Sequence, residues 1–266
     1  MIGKTPWLEM KEVEAWLGPT QVFRNLTISL MQGEHTAILG PNGSGKSALL
    51  KLIYRSIYPV VRKNSELSIF GDKRIKLSRL RKRIGVVSSE LEVRTTDFIR
   101  AKDVVLSGIY GSIGINHNRT PKPEHNNEVK RLMKELGLQE ISTTPFGQLS
   151  DGEKRRLLIA RAMIHQPDIL ILDEPTNTLD LKARHELLEE IRKLCNSGTT
   201  ILLVTHRVED IVDQIQRIIF LKKGQIIRDG TPNKLLQSAP LANLYETPLE
   251  IISTNGYYQV MPAKLN

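Results

Sequence analysis

Residues 40–47 read "GPNGSGKS" and fit the pattern G-x-x-x-x-G-K-S, set between the apolar run "HTAILG" (35–40) and the amphipathic run "KSALLKLIYRSI" (46–57). This placement constrains the fold more than any other feature, because a strand that feeds a glycine-rich turn and then a helix is the unit whose loop curls around a phosphate. Glycines let the backbone N–H groups turn inward, Lys46 brings positive charge to β- and γ-phosphates, Ser47 offers a hydroxyl to Mg²⁺, and the helix N-terminus adds its dipole. Gly40, Pro41, Asn42, Gly43, Ser44, Gly45, Lys46, Ser47 and Ala48 are therefore the expected nucleotide-binding residues.

A second stretch supports the first. In "ILILDEP" (169–175) a buried strand ends in two adjacent carboxylates, and successive strand residues point to opposite sides, so separate tasks are expected. Asp173 would hold Mg²⁺ through water, and Glu174 would orient or deprotonate an attacking water. Acidic residues at a strand end also serve as turn and capping residues, and the phosphate-type loop is what favours chemistry here.

The rest of the chain fits an α/β organisation. Apolar alternation around Val22 to Leu30, the runs "DILILD" (168–173) and "TTILLVTH" (199–206), and a helical face through Leu187, Leu188, Ile191 and Leu194 predict strands joined by helices, hence a parallel sheet covered on both faces. From about 91 the texture turns helical and irregular. The polar stretch 115–127 is expected as a surface loop, followed by a helix with Val129, Leu132, Met133 and Leu136 on one face and Gly137 as its stop.

Between the loop and the acidic strand end lies "LSDGEKRRLLIARAM" (149–163), which resembles the signature motif LSGGQ of ATP-binding cassette ATPases. The resemblance covers roughly residues 8–235 and takes in, in family order, the glycine loop, the signature at 149–153, the acidic strand end, "TNTLD" (176–180) as the D-loop with Asp180, and His206 as the switch histidine. Taken alone, His206 reads more readily as a structural histidine; its position one strand beyond the D-loop reverses that. The resemblance implies a P-loop NTPase core of mostly parallel sheet, with an N-terminal antiparallel β subdomain and an inserted helical subdomain at about 91–160. The ATPase domain would span 1–240, and residues 241–266 would form an extension, where Asn255-Gly256 between two strand-like runs predicts a β-hairpin.

The family's mechanism implies a homodimer or heterodimer that binds ATP and Mg²⁺ between copies. The glycine loop of one copy holds the phosphates while Ser150 and Gly152 of the other close over the γ-phosphate. Membrane-spanning partners would be separate chains, and the protein would be cytoplasmic, peripheral at the cytoplasmic face of a membrane. The alternative is a soluble regulatory cassette with no membrane partner.

Three departures from the family pattern bear on this. Asp151 replaces the second glycine of the signature and Glu153 its glutamine; Asp151 is expected to point away from the phosphates. The aromatic residue that stacks on adenine in the family finds a candidate in Trp16, one residue before Leu17 at the aligned position, with a core role as the alternative. The strand "IGVV" (84–87) is followed by Ser88, Ser89 and Glu90 where transporters carry a Mg²⁺-contacting glutamine; Ser89 takes that place, able to reach the metal only through water.

Charge adds a weaker constraint. Of 266 residues, 38 are Lys or Arg against 29 Asp or Glu, which favours an anionic partner without choosing one. The run "KRIKLSRLRKR" (73–83) reads first as a solvated face with Ile75, Leu77 and Leu80 turned inward, and second as a phosphate or lipid contact. No aromatic residue interleaves it, so nucleic acid is not expected as a partner. A single cysteine, Cys195, gives no disulfide framework and points to a reducing compartment. "MIGKTPWLEM" has no apolar signal core, and no apolar run reaches the roughly 20 residues needed to span a bilayer.

Overall fold

A computed structural model describes residues 6–112 and 121–263. In chain order they form β1 (Pro6–Leu17), β2 (Thr20–Met31), β3 (Thr36–Leu39), α1 (Lys46–Ile53), β4 (Glu66–Ile69), α2 (Leu77–Arg83), β5 (Ile84–Val87), α3 (Ser89–Arg94), α4 (Ala101–Tyr110) and α5 (Pro123–Glu135). Then follow α6 (Asp151–Met163), β6 (Ile169–Asp173), α7 (Leu181–Cys195), β7 (Thr200–Thr205), β8 (Arg217–Lys222), β9 (Gln225–Gly230), α8 (Pro232–Leu235), α9 (Ser238–Tyr245), β10 (Leu249–Thr254) and β11 (Tyr257–Pro262). Two compact units result, one of residues 1–80 and 200–266, the other of 81–199.

In the first unit, β1 pairs antiparallel with both β2 and β4. β3 lies parallel between β7 and β8, and β9 adds antiparallel to β8. All four residues of β3 and all six of β7 are buried, as expected of strands covered on both faces. Asn255 and Gly256, both at positive φ, turn β10 into β11, whose six cross-strand pairs complete a hairpin.

The second unit carries the parallel pair β5 and β6, latched at one end by Arg83 Nε donating to Asp168 at 2.6 Å. Helices α3 to α7 make up the rest. Val129, Leu132, Met133 and Leu136 are all buried, and Gly137 stops α5 in the left-handed region. Arg161 on α6 donates to the Ser107 hydroxyl (3.2 Å) and the Ser112 carbonyl (2.9 Å), and burial pushes its guanidinium down to about 10. Parallel strands between helices, with an antiparallel N-terminal sheet, give the α/β class expected. None of the described helices is long and apolar enough to cross a membrane.

Two expectations are corrected. Residues 123–127 are not loop but the first turns of α5, since proline is well placed at a helix start; residues 115–120 of the same stretch lie outside those described, as do residues 1–5 of the N-terminal stretch. In the basic run Ile75 and Leu80 turn inward, but Leu77 is 43% exposed, because it opens α2 at the helix's first position.

Gly85 in β5 shows how tightly the second unit is packed. A Cβ there would stand 2.6 Å from the Ala162 carbonyl oxygen on α6, a backbone atom that no rotamer change moves away. Gly85→Ala is expected to cost about 1–3 kcal/mol by overpacking, read as a lower urea midpoint at unchanged m-value.

Candidate nucleotide site

The phosphate loop leaves β3 at Gly40, whose missing side chain is a steric requirement: a Cβ would lie 2.1 Å from the Leu221 carbonyl oxygen on β8. Gly43 and Gly45 take φ of +76° and +110°, conformations that side chains disfavour. A Cβ on Gly45 would also meet Phe23 at 3.1 Å. Lys46 is buried, and its Nζ donates to the carbonyls of Gly40 (2.7 Å) and Pro41 (3.2 Å), while Ser47 is exposed at the start of α1 and Ala48 is buried beneath it. Inward-turned amides, an ammonium and an open hydroxyl at a helix N-terminus suit a nucleotide's phosphates and the Mg²⁺ they carry.

The same unit brings His206 to this loop. Leu39 pairs with Thr205, and the Gly40 N–H donates to the Thr205 carbonyl at 3.3 Å, so the half-buried His206 leaves β7 beside the start of the loop. The Thr205 hydroxyl donates to the fully buried Asp210 carboxylate (2.6 Å) and accepts from the Arg207 N–H (3.0 Å), which curls the chain around the histidine.

Trp16 does not take the core place that was the alternative reading for it. It is 44% exposed, so it is not core, and its Nε1–H donates to the buried Glu14 carboxylate at 2.9 Å. Gln21 donates to the same oxygen at 2.9 Å, and Arg62 pairs with the other. Ala15 pairs with Phe23 and Trp16 with Gln21, with a shift of register between them, and both Phe23 and Val22 of β2 approach the Gly45 position.

The second unit assembles the remaining residues. Asp173 is the last residue of β6 and half-buried. Glu174 is not in the strand: it has φ +48°, so a left-handed turn, instead of strand alternation, sets its direction relative to Asp173. A non-glycine residue held there stores strain of about 1–3 kcal/mol, the kind of cost that clusters at functional positions. Ser150 caps α6 in a reciprocal box, accepting from the Glu153 N–H (3.3 Å) while Glu153 accepts from the Ser150 N–H and hydroxyl (both 2.8 Å). Asp151 is exposed and 3.9 Å from Lys154. Asp180 caps α7 by accepting from the Ala183 N–H at 2.8 Å, and a Cβ on Gly152 would lie 3.0 Å from Ala183. Signature and D-loop thus adjoin within this unit.

Ser89 is exposed as the first residue of α3, which Ser88 caps by accepting from the Leu91 N–H at 3.3 Å. A metal ligand at Ser89 was expected; the structure uses the serine pair to turn a strand into a helix. That helix brings Glu92 within 3.2 Å of Arg155, which is buried on α6 and was not foreseen as part of the site. Burial lowers the Arg155 pKa, opposed by Glu92, Asp151 and Asp173. Its signal in the sequence was the apolar row Leu158, Ile159 and Ala162 at helical spacing from it.

Known proteins resemble this chain in sequence and in fold. The family model for ABC transporters matches residues 23–177. An ABC transporter ATP-binding protein of Lactococcus lactis subsp. lactis (strain IL1403) is 32% identical over 96% of this chain and 98% of its own. The glutamine transport ATP-binding protein of Escherichia coli (strain K12) is 32% identical over 90% of this chain and 97% of its own. Among solved structures, a dimeric ATP-binding cassette bound to ADP and Pi superposes with a TM-score of 0.68 at 26% identity, covering 84% of this chain and 98% of that one.

Loss of the loop's one ammonium in Lys46→Ala is expected to weaken ATP binding itself, measured by calorimetry. Ser89→Ala, altering an exposed hydroxyl, should keep ATP affinity and lower steady-state hydrolysis less than about tenfold, or roughly 1.4 kcal/mol of barrier, whereas Ser47→Ala should cost far more.

Proposed function

This chain belongs to the ABC transporter family and is an ATPase of the cassette type, and we propose that it works as one half of a dimer that energises separate membrane-spanning chains. In this reading Gly40 to Ala48 bind the phosphates, with Lys46 neutralising them and the exposed Trp16 stacking on the base. Ser47 and Asp173 hold Mg²⁺ together with the nucleotide, Glu174 orients the lytic water, and His206 contacts the γ-phosphate. Ser150 and Gly152 act on the ATP of the partner copy, with Asp180 beside them. Residues 1–240 make up the ATPase domain and 241–266 an extension of it, at the cytoplasmic face of a membrane.

The observation that carries the reading is the hydrogen bond between Gly40 and Thr205, which sets the histidine next to the phosphate loop. The role of the Escherichia coli relative in glutamine transport supports a membrane partner. A soluble regulatory cassette is the second reading, favoured by the Ser89 region: where a transporter's loop would carry glutamine, this chain has a capped helix tied to the signature helix by Glu92 and Arg155. Isolation of the chain from membranes together with a polytopic partner supports the first; recovery from cytosol alone supports the second.

Glu174→Gln should retain ATP affinity, lower turnover about 10²-fold or more, and accumulate an ATP-bound dimer in size-exclusion chromatography. Near-normal turnover would remove Glu174 from its role. Mixing Lys46→Ala chains with Ser150→Arg chains, each inactive alone, should recover activity in mixed dimers if the protein is a homodimer and one intact site suffices.

A further inference from the structure

The C-terminal extension reaches the histidine. Helix α9 is seated by Leu241 and Leu244, both fully buried, and its far end is fastened by Lys222, which donates to the Asn243 carbonyl (2.7 Å) and pairs with Glu246 (3.0 Å). From that fixed end Tyr245 sends its hydroxyl to the backbone carbonyl oxygen of His206, donating at 2.7 Å. The hairpin backs the same segment: β11 packs on the turn Val208–Asp210, and a Cβ at Gly256 would lie 3.2 Å from that of Asp213. The segment is thus held on one side by Thr205 and Asp210 and on the other by α9 and the hairpin.

A peptide plane has few ways to turn once both its neighbours and its oxygen are tied. The carbonyl carbon of His206 is bonded to the Cα that bears the imidazole, so fixing that oxygen holds the torsion about their bond and restricts the direction in which the ring leaves the backbone. We propose that Tyr245 is a positioning residue for His206: its hydroxyl sets the orientation of the imidazole at the phosphate loop, and through it the C-terminal extension takes part in hydrolysis. The proposal rests on the reading of His206 as the residue that contacts the γ-phosphate. It acts on turnover more than on binding, because the loop and Lys46 hold the nucleotide independently of Tyr245.

Tyr245→Phe removes the hydroxyl and keeps the ring that fills the space. In the full chain with MgATP, kcat is expected to fall roughly tenfold with KM changed less than about twofold, the split expected when a group is misplaced in the transition state but not needed for binding. The His206 imidazole resonance, identified by its loss in His206→Ala, should shift in Tyr245→Phe while the other imidazole resonances stay in place. Unchanged turnover overturns the proposal. So does a fall in turnover with the His206 resonance unmoved, since the hydroxyl then serves only the fold. If His206→Ala itself hydrolyses ATP normally, the reading of His206 fails and the proposal with it; a damaged His206→Ala beside a normal Tyr245→Phe overturns the proposal alone.

Discussion

The site depends on one close approach, that of the Gly40 backbone to the Leu221 carbonyl. β3 lies parallel between β7 and β8, so the residue that ends it must turn away from both neighbours at once. Only a hydrogen atom for a side chain allows this, since a Cβ would stand 2.1 Å from the Leu221 carbonyl oxygen on β8. The same crowding recurs around the loop. Ser44 accepts from the Gly224 N–H at 2.9 Å, and Gly224 lies so near β2 that a Cβ would stand 1.9 Å from the Val22 carbonyl. The loop is therefore held by backbone from three directions. Backbone contacts do not change rotamer, which suits a loop that must present the same amides to every nucleotide.

Much of this was legible because it is local. The phosphate loop, the buried strands and the apolar face of α5 are set by residues within one turn or one strand of each other, and their spacing says so directly. The capping box at Ser150 and Glu153 could also have been read, since Ser-x-x-Glu at a helix start is a local code; it explains why glutamate serves where the family pattern has glutamine. The exposure of Trp16 was not legible for a subtler reason. The face of β1 near its end depends on irregularities in its pairing with β2, where Ala15 meets Phe23 but Trp16 meets Gln21, and such a shift leaves no mark in the sequence. The strand end at Val87 was legible, but the helix that Ser88 and Ser89 initiate was not, because the resemblance directed attention to a missing glutamine.

The contact between Glu92 and Arg155 lies beyond such local reading. Arg155 is almost fully buried on α6, and Glu92 reaches it from α3 across 63 positions of sequence, counted from their numbers. A buried pair of this kind adds little net stability, since desolvation offsets attraction, but breaking it by removing one partner is costly. Its value is geometric: it fixes the orientation of the helix after β5 relative to the helix that begins with the signature. The region where the family pattern is lost is thus tied to a region where it is kept.

Because a ribosome delivers the chain from its N-terminus, every motif of the nucleotide site leaves the exit tunnel before the residue that fastens the histidine. Tyr245 follows His206 by 39 positions, so the nascent ATPase holds its loop, its acids and its histidine while the bond to that histidine cannot yet exist. A translation product cut short in this interval would carry the full set of recognisable motifs with the last fastening missing. Synthesis as far as Tyr245 is thereby written into the geometry around His206.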